Sequence, residues 1–141
     1  MENKQIKKVI YTAKVHTVGG RDGGDSHSSD GRLDIRFSVP GTPGSGTNPE
    51  QLFAAAWSAS FIGALKREAL ETSVSLPVST AIEAEVDLVT TGQAEFLRAR
   101  FDISLPGLGR KAAQLLVDAA HRTCRFSKAA RGNVDVTINL L

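Results

Sequence analysis

Cysteine is all but missing from this chain: Cys124 is the only one in 141 residues. No internal disulfide can form, and such usage fits a reducing compartment, so a cytoplasmic location is expected. Histidine is nearly as scarce. His16, His27 and His121 show no metal-ligand spacing, so neither a metal site nor a bound cofactor is expected. A surplus of one charge is lacking too: seventeen basic residues stand against fifteen acidic ones, for a net charge of +2. That is too mild to argue for a nucleic-acid partner. No apolar run reaches the roughly 18 residues that a membrane span needs, and the central one stops at Lys66-Arg67-Glu68. The first residues, Met1-Glu2-Asn3-Lys4-Gln5, carry no apolar signal-peptide core. What is left, 41% hydrophobic and 23% charged residues, is an ordinary globular composition. Residues 1–141 are expected to form a single domain.

The stretch around which the chain is organised runs from Gly46 to Leu65. Asn48 suits an N-cap, Pro49 the first helical position and Gln51 the third position of a capping box. From Leu52 to Leu65 the only polar groups are Ser58, Ser60 and the indole nitrogen of Trp57. A helix apolar on every side must be covered on every side. This predicts a central helix sheathed by a sheet and by other helices. One layer of strands is too little cover, so a second subunit is expected to complete it. Ala56, Ser60, Gly63 and Ala64 recur at helical spacing, which strips one face of bulk, either for a close helix contact or to leave room for a ligand.

Alternation marks the strands. Val9, Tyr11, Ala13 and Val15 alternate with polar residues over residues 8–17, as do Leu33, Ile35, Phe37 and Val39 farther on. Between them the polar, glycine-rich stretch from Gly19 to Gly31 is either a flexible connection or a functional loop carrying Arg21. Residues 82–88 and 97–105 alternate again, with acidic residues outward on the first and arginines outward on the second. That pattern predicts a hairpin with cross-strand ion pairs, turned at Thr91-Gly92-Gln93. A second helix is predicted from Arg110 to Cys124, with Ala112, Leu116, Ala120 and Cys124 along one face. A basic connection follows over residues 125–133, then a last strand carrying Val134, Val136, Ile138 and Leu140. The order β-β-α-β-β-α-β, with one apolar face per strand, predicts an antiparallel-rich α+β fold.

Taken singly, the candidate functional residues are ambiguous. Ser60 has no Gly-x-Ser-x-Gly elbow around it, so packing competes with a nucleophilic role. Cys124 is either a core thiol or, near Arg122, Arg125 and Lys128, one with a lowered pKa. Glu50 is a favourable anion in a first helical turn. Arg21 is an ordinary loop cation or the working residue of its loop. Gly44-Ser45-Gly46 lacks the Gly-Lys-Ser/Thr that would make it a phosphate cradle.

Taken together they resemble a family. Gly19-Gly20-Arg21-Asp22-Gly23, Ser28-Ser29-Asp30-Gly31, the run Gly46-Thr47-Asn48-Pro49-Glu50-Gln51-Leu52-Phe53-Ala54-Ala55, residues 61–65 and Arg131-Gly132-Asn133-Val134-Asp135 resemble the organic hydroperoxide resistance (Ohr) proteins of the OsmC superfamily. The resemblance spans almost the whole chain. It implies an intertwined homodimer of α+β subunits that reduces organic hydroperoxides, including fatty-acid ones, to alcohols by a two-cysteine mechanism. Dihydrolipoamide or lipoylated proteins supply the reducing power. Carried over residue by residue, the peroxidatic position falls on Ser60, the resolving cysteine on Cys124, the thiolate-stabilising arginine on Arg21 and the carboxylate that orients it on Glu50. The basic residues Arg122, Arg125 and Lys128 would then suit an acidic lipoyl domain.

The chain departs from that pattern at one atom that matters for chemistry. A hydroxyl stands at Ser60 where the family has a thiol, and serine forms neither a sulfenic acid nor a disulfide. The chain as written is therefore expected to be inactive as a peroxidase. With Arg21, Glu50 and Cys124 all retained, this pattern is that of a Cys→Ser active-site variant. The alternative is a naturally non-catalytic OsmC-like dimer that binds an apolar ligand. Cys124-Arg125-Phe126-Ser127-Lys128 also departs from the family's Cys-Pro-Tyr-Ser-Asn, which bears on the geometry of the resolving thiol.

Overall fold

The computed structural model describes residues 5–141; Met1 to Lys4, part of the N-terminal stretch read above, lie outside the described residues. The chain divides after Asn48 into two compact units.

The first unit is a three-stranded antiparallel sheet of β1 (Val15–Val18), β2 (Asp25–Ser28) and β3 (Asp34–Arg36), in that order. It differs from the alternation pattern in three ways. The first strand begins only at Val15, and Val9, Ile10 and Tyr11 remain 78%, 89% and 78% exposed. The strand expected at residues 33–39 shortens to three residues. The polar stretch contains β2, which no apolar alternation announced. Hydrogen bonds hold β2 instead: Thr17 Oγ1 lies 2.7 Å from Ser26 Oγ across the β1–β2 pair. Its other turn is built from Ser28-Ser29-Asp30-Gly31. The Ser28 hydroxyl donates to Asp30 and accepts from the Leu33 amide, Asp30 also accepts from the Arg32 amide, and Gly31 supplies a φ of 76°. The Ser28 bond, then the Arg32 amide, holds the Asp30 carboxyl below its ordinary pKa.

The second unit begins with α1 (Pro49–Glu71), which starts where the Asn-Pro signal predicts. At its far end Ser73 adopts a left-handed φ of 56°, and Val74 N donates back to Ala69 O at 2.9 Å, closing a Schellman-type cap. Strands β4 (Ala81–Thr91) and β5 (Ala94–Ser104) follow as an antiparallel hairpin; then come α2 (Arg110–Thr123), α3 (Arg125–Ala130) and β6 (Asp135–Leu140). β6 returns beside β5 in parallel, so the sheet order is β4-β5-β6 with β5 in the centre. The α+β class is as expected. The added α3 is a correction to the connection expected over residues 125–133, and the chain crosses over through two helices after β5, which makes the parallel return of β6 possible.

The core lies between this sheet and the helices. Ala99, Phe101 and Ile103 of β5 meet Trp57, Phe61, Ala64, Leu65 and Ala69 of α1 and Ala113, Leu116, Val117 and Ala120 of α2. Phe101 is the hub, edge-to-face with Trp57 at 4.9 Å and with Phe61 at 5.9 Å between centroids. Each such fully buried aromatic contributes about 2–3 kcal/mol of apolar burial. Of the face expected on α2, Leu116, Ala120 and Cys124 are buried, joined by Ala113 and Val117, while Ala112 is exposed. A spacing of four advances about 40° per step around a helix, so a line of fourth residues drifts off the core face. On α1 the cover is one-sided: Ala55, Ala56, Ala59 and Gly63 face outward, exposed. The small-residue set read from the sequence straddles that border, with Ala64 buried, Ser60 half-buried, and Ala56 and Gly63 exposed. Among the described residues, no helix is long and apolar enough to cross a membrane.

The charge pattern of the hairpin is realised in register. Glu85 pairs with Arg100 and Asp87 with Arg98, and Arg100 bridges diagonally to Asp87 at 2.7 Å. Arg100, then Arg98, holds the Asp87 carboxyl down at about 2, from an ordinary 3.8. A depressed carboxyl favours the folded state above the unfolded pKa and loses that contribution as pH falls through the folded one. Urea titrations at descending pH should therefore show part of the acid destabilisation between 3.8 and about 2, and Asp87→Asn should remove that part. Solvent screening keeps the effect small.

Candidate active site

Two helices meet at the position that matters. Cys124 belongs to neither α2 nor α3 but joins them. Its backbone is extended (φ −60°, ψ 127°), its N–H donates to Ala120 O at 2.7 Å, and its carbonyl accepts from Lys128 N at 2.9 Å. One residue thus ends one helix and starts the next. It is 1% exposed and points its sulfur at α1, where Sγ lies 3.6 Å from Ser60 Oγ. The other serine of α1 turns away: Ser58 donates to the Ala54 carbonyl of its own helix at 2.7 Å.

Side chains flanking Cys124 tie this joint to α1 on both sides. Before it, the Thr123 hydroxyl sits between Glu68 Oε1 at 3.2 Å and the Ala119 carbonyl at 3.1 Å. After it, buried Ser127 accepts from Trp57 Nε1–H at 3.0 Å and lies 3.1 Å from His121 Nδ1. Trp57 is an obligate donor, and the Ser127 oxygen, with two lone pairs and one proton, can either donate to Nδ1 or accept from it according to the His121 tautomer. Burial, and then the charge of Arg131, push the His121 pKa below 6.5 against the opposing pull of Asp118. Arg131 also donates to the His121 carbonyl at 2.8 Å.

Arg21 and Glu50 fall in different units. Arg21 is exposed within a single 3-10 turn (Gly20–Asp22) bracketed by Gly19, Gly20 and Gly23 at positive φ. The turn closes through Gly24 N to Gly20 O at 2.9 Å. Gly24 admits no side chain, because a Cβ there would lie 2.0 Å from Val18 O. Glu50, half-buried, stands in the first turn of α1. Ten residues separate it from Ser60, about 15 Å along the helix, so the two side chains do not touch. Ser60 and Cys124 are the pair that the second unit brings together. Trp57, Thr123, Ser127 and His121 around them were not singled out from the sequence. The basic run after Cys124 carries no Gly or Pro to mark a new helix, and only a break at Cys124 brings Ser127 back beside His121. Among the described residues, no group of three or more His, Cys, Asp and Glu could hold a metal ion.

The α+β architecture is that of the OsmC-like proteins. The family model described as OsmC-like protein matches residues 42–139, and the chain belongs to that family. It is 42% identical over 138 residues to an organic hydroperoxide resistance protein of Xanthomonas axonopodis pv. citri, covering 95% of this chain and 96% of that one. The crystal structure of the organic hydroperoxide resistance protein OhrB of Bacillus subtilis superposes with a TM-score of 0.87 at 40% identity, over 94% of this chain and 100% of that one. An organic hydroperoxide resistance protein from Elizabethkingia anophelis, with thiocyanate bound, gives 0.86 at 30% identity, over 95% and 98%.

The lowered pKa of His121 carries a pH signature. Its folded pKa lies below 6.5, so the neutral form favours folding. That contribution is complete above 6.5 and is lost as pH falls toward the lowered folded value. Stability measured in urea across this range should decline with acidification, and His121→Gln should flatten the decline.

Proposed function

We propose that this chain carries the active-site frame of a thiol-dependent organic hydroperoxide reductase, with Ser60 at the peroxidatic position and Cys124 as the resolving thiol. The observation that carries the reading is the 3.6 Å approach of the buried Cys124 Sγ to the half-buried Ser60 Oγ at the edge of the core. With a thiolate at position 60, attack on the distal peroxide oxygen breaks the O–O bond, gives a sulfenic acid and releases an alcohol once the leaving alkoxide takes a proton. The Cys124 thiol then condenses with that acid, forming a disulfide and water. Dihydrolipoamide, free or on a lipoylated protein, reduces the disulfide by exchange and is itself oxidised to the cyclic disulfide. Arg21 would hold the thiolate, since a guanidinium beside a thiol favours its ionised form, and Glu50 would orient Arg21. Serine supports none of these steps, so the chain is inactive by this route, as a Cys→Ser variant is. Its lone cysteine supports a cytoplasmic setting.

The homodimer belongs to the same proposal. Ala55, Ala56, Ala59 and Gly63 leave the outer face of α1 uncovered, and the exposed apolar residues near the N-terminus include Ile10 at 89%. Surface of this kind calls for a partner, and a second copy is the one the family resemblance implies. Ser60 as it stands also supports a second reading, a non-catalytic dimer holding an apolar ligand; a small molecule retained in native mass spectrometry would favour it.

Two experiments separate these readings. Ser60→Cys should convert background into sustained reduction of cumene hydroperoxide with dihydrolipoamide. Arg21→Met in that variant should raise the thiol pKa by about 1–3, a loss of about tenfold or more in thiolate near neutral pH. No turnover by Ser60→Cys would sink the assignment. For the dimer, Ala59→Glu puts a charge on a side chain exposed in the single chain. It should leave a monomer untouched but dissociate or strongly destabilise a dimer, as read by sedimentation equilibrium.

A further inference from the structure

Beyond the Ser60–Cys124 pair, α1 and the α2–α3 joint are connected by polar ties for which the reaction above has no use. Ser127 is 1% exposed in a core otherwise filled by Trp57, Phe61, Phe101 and Leu65. A hydroxyl withdrawn from water costs stability unless it is hydrogen-bonded, and this one has two partners, Trp57 on α1, which donates to it, and His121 Nδ1 on α2. Thr123 reaches Glu68 on α1. Trp57 precedes Ser60 by three residues and Glu68 follows it by eight, so the two ties grip α1 on either side of position 60, just as Thr123 and Ser127 flank Cys124.

The joint between them is one extended residue, and an extended residue linking two helices leaves their mutual angle to whatever else holds them. Disulfide closure demands sulfurs about 2.0 Å apart with Cβ atoms about 3.5–4.5 Å apart. An error of about 1 Å in such an approach costs roughly a hundredfold in rate. We infer that the Trp57–Ser127–His121 chain, with the Thr123–Glu68 tie, is a positioning device that holds the Cys124 sulfur over position 60 for the condensation step. The inference rests on the proposed resolving role of Cys124. In that step the Cys124 sulfur attacks the sulfenic sulfur. The S–OH bond breaks, hydroxide leaves and takes the Cys124 proton as water, and two electrons pass between the sulfurs as the S–S bond forms.

The test separates positioning from peroxide chemistry. The Ser60→Cys variant is equilibrated in glutathione redox buffers, and the effective concentration of the disulfide between position 60 and Cys124 is read by mass spectrometry. Adding Ser127→Ala or His121→Leu should lower it by about tenfold or more, equivalent to roughly 30 mV or more for this two-electron couple. His121→Asn, whose amide keeps a hydrogen-bonding group near the Nδ1 position, should restore most of it. Folding of each variant is checked by circular dichroism, and Thr123→Val replaces any that fails. In parallel, one equivalent of cumene hydroperoxide with dimedone trapping reads the first step, which Ser127→Ala should leave within about twofold while the sulfenic acid accumulates. An unchanged effective concentration in Ser127→Ala, His121→Leu and Thr123→Val overturns the positioning role. Normal disulfide closure without sulfenic acid formation instead overturns the peroxidase reading alone.

Discussion

Helix α1 has no side that water suits from Leu52 to Leu65, and the second unit is arranged around that constraint. Its inner face is met by β5 and by α2, with Phe101 wedged against Trp57 and Phe61. Its outer face is lined by alanines and a glycine that nothing in the single chain covers. Position 60 lies on the border between these faces, half-buried, next to a thiol that is fully buried. A reactive group at such a border combines an apolar surrounding with a route of approach. Solvent excluded on one side strengthens the electrostatics of whatever charge is held there.

Much of the fold was legible in the residues. Asn48-Pro49 marked the start of α1, and the acids Glu85 and Asp87 opposed to Arg100 and Arg98 marked the hairpin with its register. The rest was hidden for identifiable reasons. β2 is polar throughout and exists because serine hydroxyls and a tight glycine turn pair it with its neighbours. The apolar row from Val9 to Ala13 finds no partner strand among the described residues, so its alternation promised more strand than forms. α3 begins without glycine or proline, and β6 pairs in parallel because two helices, not a turn, precede it.

The candidate site was legible to a smaller degree. Residue chemistry alone left Ser60 and Cys124 each open between packing and function; only the resemblance coupled them, and 64 residues of sequence separate them. Trp57, Ser127 and His121 carried no local sign at all. Their relation is created by a helix break whose only trace is the fixed backbone of one residue. A buried polar chain of this kind is a property of tertiary packing, and it specifies one arrangement of three helices where apolar contacts alone would allow several.

Trp57 is the only tryptophan in the chain. It is wholly sealed from solvent, and its ring nitrogen is committed to Ser127, one turn of helix from the position where the chemistry would occur. The molecule therefore carries its own optical reporter. The emission of a single indole is coupled to the joint that carries Cys124 beside Ser60, and no label is needed to follow that joint in real time.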